Sequence, residues 1–268
     1  ARDYWLNKAF SRVQGLVLLC VFCAALPYAQ AIPIAEMSSE ELLERAANSK
    51  QPEAVRQNAF LALVDRGATN YTAVLKTAQS DDSDPGQRWV AIRILGKVGG
   101  PEAETVLVKL LRNPKVDTRT AAASALGDTG NQRFVTVLSD RLEDDAIIVR
   151  AAAAEALGKL GSVKGIPALD KALVSDSNHY RGSSLWVRRH YVSALKAIAH
   201  KDSYGTLLRC LDDVDPSVLA EAISALEATA GFTMSEGRTE AQEIDWLHLG
   251  DPDMWDTLEK QQQVSLQH

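Results

Sequence analysis

A thirteen-residue phrase recurs along this chain, as QRWVAIRILGKVG at 87–99, TRTAAASALGDTG at 118–130 and VRAAAAEALGKLG at 149–161. Weaker copies stand at 55–67 (VRQNAFLALVDRG), 187–199 (VRRHYVSALKAIA) and 218–230 (VLAEAISALEATA). With the columns numbered 1 to 13, column 2 holds Arg56, Arg88, Arg119, Arg150, Arg188 and Leu219, at spacings of 32, 31, 31, 38 and 31 residues. Column 9 is Leu in all six units: Leu63, Leu95, Leu126, Leu157, Leu195 and Leu226. A period that regular restricts the chain to an array of similar units, each burying its apolar face against its neighbours.

Within a unit the apolar columns are 1, 5, 8, 9 and 12, the stripe of an amphipathic helix. A second, shorter periodic segment precedes each phrase, for example AETVLVKLLRN at 103–113 or QRFVTVLSDRL at 132–142, so each period is a pair of helices. Gly in column 13 of four units supplies a left-handed residue that ends the helix. Small Ala in columns 5 and 8 lets neighbouring helices approach closely. An aromatic content of only 6% within a 46% hydrophobic chain agrees with close-packed helices and against a strand-rich fold.

The pattern V-R-x-x-A-x-x-A-L-G-x-L-G resembles the short HEAT-like repeats named after phycobilisome lyases. The likeness runs from about Ser39 to Gly231, with the last two units departing at the Gly columns and the last lacking the Arg. It implies an all-α, right-handed α-solenoid of about six helix pairs, with the second helix of each pair lining the concave side. It also implies that Arg56, Arg88, Arg119, Arg150 and Arg188 form a structural ladder with turn aspartates, for which Asp84, Asp145 and Asp215 stand four or five residues ahead of column 2.

Three segments follow. Residues 1–31 begin with Arg2, Lys8 and Arg12, continue through GLVLLCVFCAAL and end in an A-x-A pattern, which predicts a signal peptide or, as the alternative, a membrane anchor. Residues 32–231 form the solenoid, opened by a capping box of Ser38 and Glu41. Residues 232–268, with Trp246 and Trp255 in acidic surroundings, are expected to cap the last unit, or alternatively to dock on a partner. Export to a periplasmic or secreted location is therefore expected, with membrane contact only through an uncleaved N-terminal segment. Removal of the leader would leave Cys210 as the single cysteine, at an apolar helical position where a buried, inert thiol is expected.

Binding residues are expected where the array breaks its own rule. The 38-residue spacing arises from an insertion, SDSNHYRGSSLW at 175–186, read as a projecting loop carrying Tyr180, Arg181 and Trp186. Columns 3, 4 and 7 of the second helices are expected to face the groove; they hold Trp89, Val90 and Arg93, then Ala151, Ala152 and Glu155, then Arg189, His190 and Ser193. Trp flanked by Arg is the composition of binding hot spots, so Trp89, Arg93, Arg189 and His190 are candidates for a partner-binding patch.

Chemistry finds little support in these residues. Deoxyhypusine hydroxylase has a similar architecture, but its iron is held by His-Glu pairs, and no His-Glu dipeptide occurs here. The five histidines are scattered and nominate no metal site. Bilin lyases act in another compartment, and DNA glycosylases of this architecture need a basic groove, whereas this chain has a net charge of −6. The expectation is an exported, non-enzymatic scaffold that binds a protein partner and needs no cofactor and no nucleic acid. A peptide or small-molecule binder, or a lyase- or isomerase-like enzyme, is the alternative.

Overall fold

A computed structural model describes residues 33–67, 71–181 and 183–230. The expected leader, and the expected cap around Trp246, lie outside the described residues. Among the described residues twelve α-helices alternate between two layers. The outer layer holds α1 (Ser39–Ala47), α3 (Tyr71–Gln79), α5 (Pro101–Leu110), α7 (Val135–Ser139), α9 (Ile166–Val174) and α11 (Tyr204–Arg209). The inner layer holds α2 (Glu53–Arg66), α4 (Pro85–Val98), α6 (Val116–Asp128), α8 (Ile147–Leu160), α10 (Val187–Ile198) and α12 (Pro216–Ala230). The recurring phrases are the inner helices, and the architecture is an all-α solenoid.

Local signals set the helix ends. Glu41 N donates to Ser38 Oγ at 3.1 Å while Ser38 N donates to Glu41 Oε2 at 2.7 Å, so the capping box forms. Asp84 caps α4 by accepting from Gln87 N at 3.0 Å, with Pro85 just inside the helix. At the other end, Gly161 is left-handed at φ 61° and ψ 22°. Ala199 occupies the same column in α10 and takes φ 49° and ψ 54° without being glycine.

Glycines of column 10 set the inner-layer spacing. A Cβ on Gly96 would lie 2.4 Å from Ala125 O, and one on Gly127 would lie 2.6 Å from Ala156 Cα. One on Gly158 would meet Ala194 Cα at 3.1 Å. Column 10 of one helix therefore packs on column 8 of the next, in the same register three times over, so the inner helices run parallel. Where the pair is lost the contact changes. Val64 and Ile94 hold these columns between α2 and α4, and these two helices pack more loosely than the later inner pairs, with α1 also lying against α4. At the far end Lys196 replaces the glycine and reaches across to donate to Ser224 Oγ at 2.6 Å. The core between the layers consists of the apolar columns, including Leu63, Leu95, Leu126, Leu157, Leu195 and Leu226, all nearly inaccessible.

Of the five column-2 arginines, Arg119 and Arg188 form rungs to the next unit, and their acids are not those expected from sequence. Arg119 donates through Nε and Nη2 to Asp144, at 2.9 and 2.8 Å. Arg188 reaches Asp213 at 2.5 Å and donates through Nε to Leu173 O at 3.0 Å. Asp144 and Asp213 each follow their Arg by 25 residues, in the turn of the next unit. A guanidinium at the start of an inner helix thus staples the end of its own outer helix to the following turn. Arg88 pairs instead with Asp81, at 2.7 Å, in the turn before its own helix. Asp84 is a cap, Asp145 offers Arg150 only its backbone carbonyl, at 3.4 Å, and Asp215 accepts from Ser217. Arg56 enters no rung among the described residues: its Nε is buried without a hydrogen-bond partner.

The insertion is a short hairpin rather than a plain loop. Strand β1 (His179–Tyr180) pairs antiparallel with β2 (Ser183–Ser184), and Arg181 beside the turn has φ 50°. Its base is anchored. Asn178 is fully buried, donates to Ala172 O at 2.8 Å and accepts from Tyr191 OH at 3.2 Å. Position 175, 25 residues after Arg150, is Ser, so the ladder loses its carboxylate here. Arg150, itself buried, makes do with carbonyls, Asp144 O at 2.8 Å and Ser177 O at 3.4 Å.

Candidate functional site: the inner face

Columns 3, 7 and 11 of an inner helix lie one turn apart on the side away from the outer layer. On α4 they hold Trp89, Arg93 and Lys97. Trp89 is 37% exposed. Arg93 donates to Asp128 Oδ2 at 2.6 Å, Lys97 Nζ stands 3.5 Å from the same oxygen, and Lys159 donates to Asp128 Oδ1 at 2.7 Å. Three cations from α4 and α8 thus converge on one carboxylate of α6 whose side chain is 4% exposed. Burial alone would raise the Asp128 carboxyl, but the Lys159 hydrogen bond and the charges of Arg93, Lys159 and Lys97 outweigh it and hold the group below its ordinary range. Column 11, which reads Lys97, Asp128, Lys159 across three helices, was the signal for this network.

The second cluster belongs to α10. Trp186, 49% exposed at its N-terminus, stands edge-on to the His190 ring with centroids 5.2 Å apart. His190 Nδ1 lies 3.3 Å from Glu155 Oε1 on α8. Arg189 is exposed and makes no ion pair among the described residues. Trp89 with Arg93 therefore flanks one side of the face, and Trp186 with Arg189 and His190 flanks the other. Between them α6 and α8 present small residues. Ala151 and Ala152, expected to face the groove, are buried, because the glycine-mediated approach of the helices closes over them. Tyr180 and Arg181 stand on the hairpin, with the guanidinium 5.2 Å over the exposed ring.

Beside Trp89 a hollow of about 160 Å³ opens between the N-termini of α4 and α6, lined by Pro85, Ile92, Lys115, Asp117 and Thr118 among others. This is below the ~300 Å³ at which small-molecule sites begin, and it suits a single side chain. A wider depression of about 590 Å³ lies along α5 and the turn at Asn113, where Arg88 is already held by Asp81 and Ala78. Among the described residues no group of three or more His, Cys, Asp or Glu is placed to hold a metal ion. Cys210 is buried, and burial pushes its thiol up to about 11, far from the thiolate a nucleophile needs. No helix among the described residues is long and apolar enough to cross a membrane.

Two family models match the chain, HEAT repeats over residues 72–150 and the PBS lyase HEAT-like repeat over 149–175. Residues 72–175 are thus HEAT-like repeats. The matched span, from α3 to α9, contains the three column-10 glycines and the charge network on Asp128. A search of curated proteins found no match. Among solved structures, the Escherichia coli protein YibA aligns at a TM-score of 0.53 with 18% identity, over 76% of this chain and 75% of that one. Kap121p aligns at 0.50 with 16% identity, over 71% of this chain and 25% of its own length. An engineered protein aligns at 0.47 with 24% identity, over 76% of this chain and 94% of that one. At 18% and 16% identity the first two likenesses speak for the fold alone, and HEAT-like solenoids are commonly protein-binding scaffolds.

Proposed function

We propose that this HEAT-like protein is a non-enzymatic scaffold that is exported and holds a partner protein on its inner face, as an assembly factor or a structural subunit of an envelope complex. The observation that carries the reading is the pair of exposed tryptophans, Trp89 and Trp186, each beside arginine on the inner helices, with small residues between them. Exposed Trp and Arg are the residues on which interfaces concentrate their energy, and the hollow beside Trp89 offers a seat for one partner side chain. Export rests on the N-terminal sequence alone.

The test is affinity capture from envelope extract with residues 32–268 as bait, beside a Trp89→Ala/Arg189→Ala variant. Arg93 is left intact because it also supports buried Asp128. A protein retained by the first and lost by the second, with unchanged helical circular dichroism, supports the scaffold reading. Equal capture by both moves the site off the inner face. A leader retained on the protein in its host cell, with no fraction beyond the inner membrane, would remove the export claim.

A further inference from the structure

The inner face from α4 to α10 holds four cations, Arg93, Lys97, Lys159 and Arg189, against two carboxylates, Asp128 and Glu155. Residues 231–268 hold eight acids, from Glu236 to Glu259, against Arg238 and Lys260, a charge of −6 that equals the net charge of the whole chain. The excess positive charge of the face and the excess negative charge of the chain therefore stand in separate segments. The acidic segment also carries Trp246 and Trp255.

Reach fits as well. Ala230 ends α12 in column 13, and Lys97 and Lys159 are in column 11 of helices that run parallel to it, so all three stand at the same edge of the inner layer. At ~10 Å between neighbouring helices, α8 is roughly 20 Å from α12 and α4 roughly 40 Å. A chain at ~3.3 Å per residue covers those spans in about 6 and 12 residues. Glu236 stands 6 residues beyond Ala230, and Glu243 stands 13 beyond it.

We propose that the acidic segment Glu236–Trp246 docks on the inner face of its own chain, with Glu236 near Lys159 and Glu243 and Asp245 near Lys97, so that it competes with the partner for that surface. The proposal rests on the inner face being a docking surface. Exposed ion pairs are individually weak and screened by salt, so the docked state is a low-affinity one that a partner can displace.

Zero-length carbodiimide cross-linking of the full chain at low salt, mapped by peptide mass, tests it. The pair Lys171–Glu143, 2.5 Å apart, provides an internal standard. The expected products join Lys159 to Glu236 and Lys97 to Glu243 or Asp245 within one chain, and they disappear in a Glu236→Gln/Glu243→Gln/Asp245→Asn variant that retains the standard link. In that variant acetic anhydride should modify Lys97 and Lys159 at least about twofold faster, while Lys171 is unchanged. The standard link without the other two overturns the proposal. So do links from the segment to Lys196 or Lys201, which would mark it as a cap on the last unit, and links found only between two chains. Capture by the inner face is measured separately, so a segment that fails to dock leaves the scaffold reading standing. A segment that docks while the tryptophan variant captures normally leaves the docking standing but moves the partner's site off the inner face, and overturns the competition.

Discussion

Asp144 accepts both Nε and Nη2 of Arg119 across the boundary between two helix pairs, at 2.9 and 2.8 Å. Burial would raise this carboxyl, but the Arg119 hydrogen bonds, the Ala146 amide and the charges of Arg119 and Arg141 hold it below the usual range. Only a planar fork satisfies both oxygens. Arg119→Lys is expected to cost ~1–2 kcal/mol by loss of the second bond. Asp144→Ala should cost ~3 kcal/mol or more by leaving the guanidinium half-buried and unpaired. Urea unfolding monitored by circular dichroism checks the order; midpoints of both variants equal to that of the wild type would show that the rung carries no stability.

The column-10 glycines should rank by the gap to the next helix. Gly127→Ala places a methyl 2.6 Å from Ala156 Cα, where neither backbone can yield without parting the helices, and should cost upward of ~2 kcal/mol. Gly158→Ala meets Ala194 Cα at 3.1 Å and should cost less. A reversed order would refute the packing argument.

These glycines show how far the sequence was legible. Column 13 and the leucine of column 9 act within their own unit, so their roles followed from helix geometry. The role of Gly127 depends on Ala156, 29 residues on, and only Ala was assigned to the close approach. The ladder acid was misplaced for a related reason: Asp145 is nearer to Arg150 in sequence, while the rung reaches forward into the next turn. Among the candidate site residues, Trp89 and Arg189 were legible as an apolar and a cationic side chain in an outward column, and Trp186 as part of the insertion between units. The partnership of Arg93 with Asp128 was not, because it forms between units 35 residues apart.

Ala199 offers a stabilising change. Its left-handed backbone is strained for any side chain, and glycine relieves it at ~1 kcal/mol. Ala199→Gly is expected to raise the thermal midpoint, while Gly161→Val should lower it by the equivalent of more than ~1 kcal/mol. Two shifts of the same sign would contradict the assignment.

Asp128 predicts an acid dependence. Its folded pKa lies below the ordinary 3.8, so its contribution is fully present above that value and is lost as pH falls through the depressed folded value. The stability difference between the wild type and Asp128→Asn should therefore be constant from pH 7 to about 5 and shrink below about 4. Denaturant titrations across that range test it, and a difference that grows on acidification would reverse the sign.

The repeated glycine-to-alanine seat makes the interior boundaries of the array interchangeable. Gly96 would fit Ala156 as it fits Ala125, so unequal recombination between the copies could shorten or lengthen the middle of the molecule without inventing a new interface. The outermost boundaries lack that freedom, with Val64 and Ile94 in place of the glycine and alanine at one end and Lys196 crossing to Ser224 at the other. Change in length is thereby channelled to the stretch that separates Trp89 from Trp186, and the distance between those two side chains becomes a quantity that evolution can adjust in whole repeats.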